Sequence, residues 1–168
     1  FGWSGGEPEA PRLVLSMEER AAGEADLASW PHPRLGLALR GSGAGAAPSE
    51  AWWARARAAL EQAGWHPVTL APPEASEIPP ADLRRLMARL AACDAVVSPS
   101  TGPAHIAAAL GVPTVCLMGR RASHGPDRWK PLGPEVVALQ YPGAEADAGG
   151  GMDRLDPAEV LRALETLR

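Results

Sequence analysis

AVVSPSTGPAHIAAALGVPTVCLMG, residues 95–119, is the stretch from which the fold is read. It opens with an apolar run, 95–97, long enough for a buried strand. Ser98, Pro99, Ser100, Thr101 and Gly102 follow, all of them turn or capping types. Pro103 stands where the first helical residue belongs, because its fixed φ suits a helix start and its missing N–H is not needed there. Residues 104–110 have the composition of a short helix, Gly111 is placed for a left-handed cap, and Pro113 prevents continuation. Residues 114–118 make a second buried strand. A helix that starts where a strand ends offers N–H groups and a partial positive charge, a seat for a phosphate or diphosphate. The same spelling also suits a plain βαβ crossover with an ordinary cap, and one motif does not choose between the two.

Working outward, strands and helices alternate. Upstream, Leu83, Leu86, Met87 and Leu90 form an apolar stripe, with Arg84, Arg85 and Arg89 off it as a solvated face. A Pro- and Glu-bearing loop, 72–80, joins that helix to a short strand at 68–71. Residues 35–39 suit a central parallel strand ending in a flexible loop, Arg40-Gly41-Ser42-Gly43-Ala44-Gly45. Its glycines lack the spacing of a dinucleotide-binding turn. A helix at 49–63 follows, with Trp53, Ala56 and Leu60 at helical spacing and Gly64 as its stop. Ser16 and Glu19 form a capping box for a helix from residue 17 to about residue 30, stopped by Pro31 and Pro33. Residues 1–11 read as an ordered tail or linker. Downstream come an irregular, strongly basic loop at 119–129, a last strand at 136–139 and a Gly-rich connector at 142–154. Asp156, Pro157 and Glu159 start a final helix whose Val160, Leu164 and Leu167 face inward. The expectation is an α/β, Rossmann-like parallel sheet of about five strands with helices on both faces.

The chain has 168 residues, enough for one domain with a real core, and its 46% hydrophobic and 21% charged residues are those of an ordinary soluble globular protein. A net charge of −4 argues against a nucleic-acid binder that depends on phosphate contacts. No apolar run approaches the length of a membrane span, and the N-terminus has no signal-peptide pattern. Cys93 and Cys116 sit in apolar contexts and are expected as buried free thiols. Lys130 is the single lysine and Asn is absent, features of coding bias that say nothing of function. The start at Phe1, without Met, is that expected of a piece of a longer protein.

Residues 100–113, Ser-Thr-Gly-Pro-Ala-His-Ile-Ala-Ala-Ala-Leu-Gly-Val-Pro, resemble the signature of glycosyltransferase family 9, the ADP-heptose:lipopolysaccharide heptosyltransferases. Downstream, His124, Pro126, Arg128-Trp129 and Pro131-Leu132-Gly133 are similar to the family's Arg-Trp-x-Pro-Leu-Gly element. Upstream, Pro11 to Ser16 followed by Glu18-Glu19-Arg20 resembles the segment leading into its second domain. The resemblance implies one half of a two-domain GT-B fold. Residues 1–33 are then a linker and leading helix, and residues 34–168 the C-terminal nucleotide-sugar-binding domain. The loop at 72–80 is shorter than the family pattern by one βα unit.

The resemblance also implies site residues. Donor contacts are expected from Arg40, Ser42, Ser100, Thr101, Gly102 and His105, together with Met118, Gly119 and Arg128. Ser42 would supply a hydroxyl and Arg40 the charge that a Lys usually brings. Glu74 is the candidate for the donor ribose, against the reading of a surface carboxylate. His105 is either a donor to phosphate or sugar, or a capping and packing residue. Ser100 stands where the family often has Asp, so contacts of that Asp to sugar do not carry over. From the residues alone, the hydroxyls of Ser42, Ser100 and Thr101 and the cations Arg40, Arg120, Arg121 and Arg128 collect on loops after three strands, and this set suits a nucleotide diphosphate.

For glycosyl transfer such groups stabilise the departing diphosphate without a metal. There is no metal-ligand cluster, catalytic Ser or Cys triad, or glycosidase carboxylate pair in the sequence. The expected function is the donor domain of a metal-independent glycosyltransferase that uses an ADP-sugar and no cofactor. Its acceptor would be lipopolysaccharide or another cell-envelope glycan or glycolipid, and its catalytic base would lie in an N-terminal partner domain. The setting expected is cytoplasmic, at most peripheral to the inner face of the membrane. The alternative is a nonenzymatic nucleotide-binding or scaffolding module derived from such a domain.

Overall fold

The apolar runs read as strands pair side by side in one parallel sheet. The computed structural model describes residues 9–39, 47–71, 82–119, 125–140 and 151–167. Its strands are β1 (Arg34–Ala38), β2 (His66–Ala71), β3 (Ala95–Pro99), β4 (Thr114–Met118) and β5 (Val136–Gln140), in the order β2-β1-β3-β4-β5. The helices are α1 (Met17–Asp26), α2 (Glu50–Gln62), α3 (Leu83–Ala91), α4 (Gly102–Ala109), a single-turn α5 (Pro126–Trp129) and α6 (Pro157–Glu165). The architecture is Rossmann-like α/β, as the sequence predicts.

Chain direction explains the layers. From β1 the chain goes outward to β2, then returns across β1 to β3 and continues to β4 and β5. Right-handed crossovers run in opposite directions place their helices on opposite faces of a sheet. Leu35, Leu37, Ala95, Val97, Val115 and Leu117 accordingly pack with Trp52, Trp53 and Leu60 of α2 and Val160 and Leu164 of α6. The alternate side chains Val68, Leu70 and Val96 meet Leu90 of α3 and Ala107 of α4. Both faces are covered, so β1, β3 and β4 are mainly apolar and are buried throughout. β5, at the edge, is half-buried.

The capping box of α1 is present, with the Ser16 Oγ accepting from the Glu19 N–H and Glu19 Oε2 accepting from the Ser16 N–H. Gly111 has φ +77° and closes α4 in the left-handed region. Both cysteines are free and buried.

Several expectations are corrected. α1 ends at Asp26 rather than near residue 30, because the chain turns there and offers the Trp30 carbonyl to Arg34 Nε at 2.8 Å. Pro103 is the second residue of α4, and Gly102 the first. Leu83, placed on the apolar stripe, is 61% exposed. The arginines of α3 are a solvated face only in part, with Arg84 exposed and Arg85 half-exposed, and all three are paired. Arg84 pairs with Glu19, Arg85 and Arg89 both pair with Asp26, and Arg89 is buried, because α1 lies across α3. Gly23 makes that approach possible, since a Cβ there would stand 2.2 Å from the Ala88 carbonyl oxygen. Residues 126–129 of the basic loop are helical. The end of the glycine-rich connector, Gly151–Arg154, is a 3₁₀ turn that buries Met152, with Leu155 beyond it also in the core.

Candidate functional site

The sheet has its switch point between β1 and β3, because the connection after β1 leads toward β2 and the one after β3 toward β4. In open α/β sheets ligands occupy the crevice where such connections diverge. The turn from β3 into α4 lies at this point.

Its geometry is built by Ser98, which the sequence reading placed in the turn and the structure places inside β3. Ser98 is fully buried at the end of β3, and its Oγ donates to the Pro99 carbonyl at 2.8 Å. Thr101 Oγ1 donates to the same carbonyl at 3.3 Å and lies 3.2 Å from the Ser98 Oγ. Thr101 is the residue before α4, yet its hydroxyl makes no cap to the helix. Its hydroxyl braces the turn. A lone hydroxyl inside an apolar strand was the available signal for Ser98.

Gly102 then stands exposed, and a Cβ built on it would meet nothing within 4 Å. The start of α4 is therefore open to solvent at the switch point. His105 lies one turn on and is partly buried, which pushes its pKa below 6.5 and keeps the ring neutral at neutral pH. A neutral imidazole can donate one hydrogen bond and accept another.

Ser100 is held by its N–H to the Leu117 carbonyl at 3.0 Å, and its Oγ donates to the Trp129 carbonyl at 3.3 Å. This brings α5, with exposed Arg128, beside the turn. The Trp129 side chain is 47% exposed, and its backbone carbonyl ties α5 to the turn. At the end of β4, Gly119 accepts from Gln140 Nε2 at 3.4 Å. Unlike exposed Gly102 and Arg128, Met118 is fully buried with Ala104 and Cys116, and packs beneath the turn.

Ser100, Thr101, Gly102, His105, Gly119 and Arg128 thus lie on the connections that follow β3 and β4. Arg40, Ser42, Glu74, Arg120, Arg121 and His124 lie outside the described residues. What is described of the β1 connection is its start. Leu39 is fixed by its N–H to the Ala71 carbonyl at 2.8 Å and by the Trp53 indole N–H, which donates to its carbonyl at 3.0 Å. Among the described residues no group of three His, Cys, Asp or Glu side chains could hold a metal ion, and no helix is long and apolar enough to cross a membrane.

A family profile described as glycosyltransferase family 9 (heptosyltransferase) matches residues 46–149, more than half of the chain. Solved structures share the fold. The glycosyl transferase family 9 protein from Veillonella parvula DSM 2008 superimposes with a TM-score of 0.75 at 17% identity, over 94% of this chain and 53% of its own. The E. coli ADP-heptose LPS heptosyltransferase II gives 0.74 at 23% identity, over 96% of this chain and 55% of its own. E. coli heptosyltransferase WaaC with ADP gives 0.65 at 19% identity, over 87% and 48%. The chain therefore spans about half the length of these structures. No curated protein matches it.

Proposed function

The chain belongs to glycosyltransferase family 9, the heptosyltransferase family, and we propose that it is the donor-binding, C-terminal half of a two-domain GT-B glycosyltransferase. The donor proposed is an ADP-sugar, because WaaC holds ADP on the same fold. The open start of α4 at the switch point carries the reading, with Gly102 bare and the Thr101 hydroxyl turned away. There the N-terminal N–H groups and helix dipole meet the diphosphate, and Arg128 adds a cation beside it. The charge that develops when a sugar leaves sits on that diphosphate, so the same groups stabilise its departure. Neutral His105 donates to a phosphate oxygen or a sugar hydroxyl.

The acceptor we assign is lipopolysaccharide or another cell-envelope glycan, met at the cytoplasmic face of the membrane. The base that deprotonates it belongs to the other half, and closure of two halves supplies orientation and water exclusion. This chain alone therefore binds the nucleotide and transfers no sugar.

Gly102→Asp tests the reading. A side chain at 102 enters open space, and a carboxylate in the first turn of a helix stabilises it by about 0.3–1 kcal/mol. The same carboxylate repels a diphosphate. Calorimetry with ADP is expected to show binding by the unaltered chain and at least about a tenfold loss in the variant, with a melting temperature that does not fall. Equal affinity in the two would remove the diphosphate from this turn. Binding by the chain, joined by no turnover after reunion with its partner half, would favour the nonenzymatic module.

A further inference from the structure

The segment 125–133 is exposed at its charged residues yet fastened twice, at Trp129 to the turn before α4 and at Gly133 to α4 itself. At its front, Ser100 Oγ donates to the Trp129 carbonyl at 3.3 Å. That is long for an O–H···O bond, so the contact is a weak one. The serine is itself well fixed, since its N–H bonds the Leu117 carbonyl at 3.0 Å. At the back, a Cβ on Gly133 would stand 2.8 Å from the Ala108 carbonyl oxygen and 3.1 Å from the Ala108 Cβ. Only a residue without a side chain lets the segment lie this close to the last turn of α4. Pro131, between the two fastenings, is buried. Ahead of the first fastening the single turn of α5 holds itself, with the Trp129 N–H bonded to the Gly125 carbonyl and the Lys130 N–H to the Pro126 carbonyl, both at 3.0 Å.

We propose that Ser100 and Gly133 are positioning residues, a front and a back clip that hold α5 on α4 so that Arg128 stays beside the open start of that helix. The proposal rests on the nucleotide reading above for what Arg128 meets, and on geometry alone for the clip. Neither residue needs to touch the ligand. Ser100, expected from sequence to contact the donor, acts instead through Arg128.

The full chain is the material for the test, with hydrogen exchange and ADP titration as readouts. Gly133→Ala is expected to speed exchange of the Trp129 and Lys130 amides and to lower ADP affinity about tenfold, since Arg128 is displaced. Ser100→Ala should do the same more weakly, about two- to fivefold, as suits one long exposed hydrogen bond. Ser100→Thr keeps the hydroxyl and should restore both readouts. Adding Arg128→Ala to either variant should cost little further affinity, because its contribution is already lost. Unchanged exchange across 125–133 in both single variants would overturn the clip, and losses that add fully to that of Arg128→Ala would overturn the positioning role. Should ADP fail to bind even the unaltered chain, the nucleotide reading falls while exchange still decides the clip.

Discussion

Asp82 at the start of α3 accepts a hydrogen bond from the Arg85 N–H at 2.8 Å, whereas Thr101, in the same place on α4, points its hydroxyl at Pro99 and Ser98. The two helices are neighbours on one face of the sheet and are finished in opposite ways. Along α3 the chemistry is closed. Its arginines meet Glu19 and Asp26, its start is capped, and α1 lies so near that Gly23 has no room for a methyl group. At α4 the first turn is left open, with a bare glycine and a partly buried neutral histidine. A helix end that satisfies itself is structural, and one kept open at the rim of the sheet is available to a ligand.

The sharpest way to break this contrast is to make one change at both places. Gly23→Ala should cost about 3 kcal/mol in urea denaturation, because the new methyl meets backbone that cannot step aside. Gly102→Ala should stay within about 0.5 kcal/mol of the unaltered chain, having nothing to strike. Similar losses at both sites would erase the distinction.

Asp26→Asn comes next, at about 2 kcal/mol, since it leaves buried Arg89 and half-exposed Arg85 without their shared carboxylate. The same seam should be acid-labile. Hydrogen bonds from Arg84, then from the Ser16 backbone, hold the Glu19 carboxyl at about 2, and those from Arg85 and Arg89 hold Asp26 at about 2, against 4.5 and 3.8 when free. Folded values below the unfolded ones mean that protons favour unfolding. This stabilisation is complete above about pH 5 and is lost as pH falls toward 2. Stability measured across that range should decline, and Asp26→Asn should flatten the decline. A profile identical in the two proteins would remove Asp26 as its cause.

On the open side the expected effects are smaller and fall on binding. His105→Ala should weaken ADP binding by about 1–1.5 kcal/mol without altering the melting temperature. In the ligand-free chain the ring should titrate below 6.5 by NMR, because burial disfavours its charged form. Thr101→Val should do the reverse. With its hydroxyl spent on Pro99, its loss is expected to cost about 1 kcal/mol of stability and to change ADP affinity less than His105→Ala does. Larger ADP losses in Thr101→Val would put that hydroxyl back on the ligand.

What could be read from sequence is local. Apolar runs of strand length, Ser16 with Glu19, Gly111 before Pro113 and Asp156 before Pro157 each act within a few residues of themselves. All appear in the structure as those spacings demand. The turn at 100–105 was legible for the same reason, since a strand end, a proline and a glycine fix its path. Less legible was the work of each group on it. Ser98, read as a turn residue, lies buried in the strand, Thr101 makes no side-chain cap, the Ser100 hydroxyl reaches the Trp129 carbonyl, and Met118 is packed beneath the site. A hydroxyl's direction depends on which acceptor comes nearest after folding, and type and spacing do not encode that.

The sequence by itself determined an alternating α/β chain, a helix start at a strand end and a family signature. Tertiary structure alone decided the strand order β2-β1-β3-β4-β5, and with it which loops share a rim. It also decided that the arginines of α3 are partners of α1, through contacts such as Arg84 to Glu19, 65 residues apart. Such pairs form only when the chain closes a long loop, and the closure is driven by burial elsewhere in the core, so no local pattern announces it.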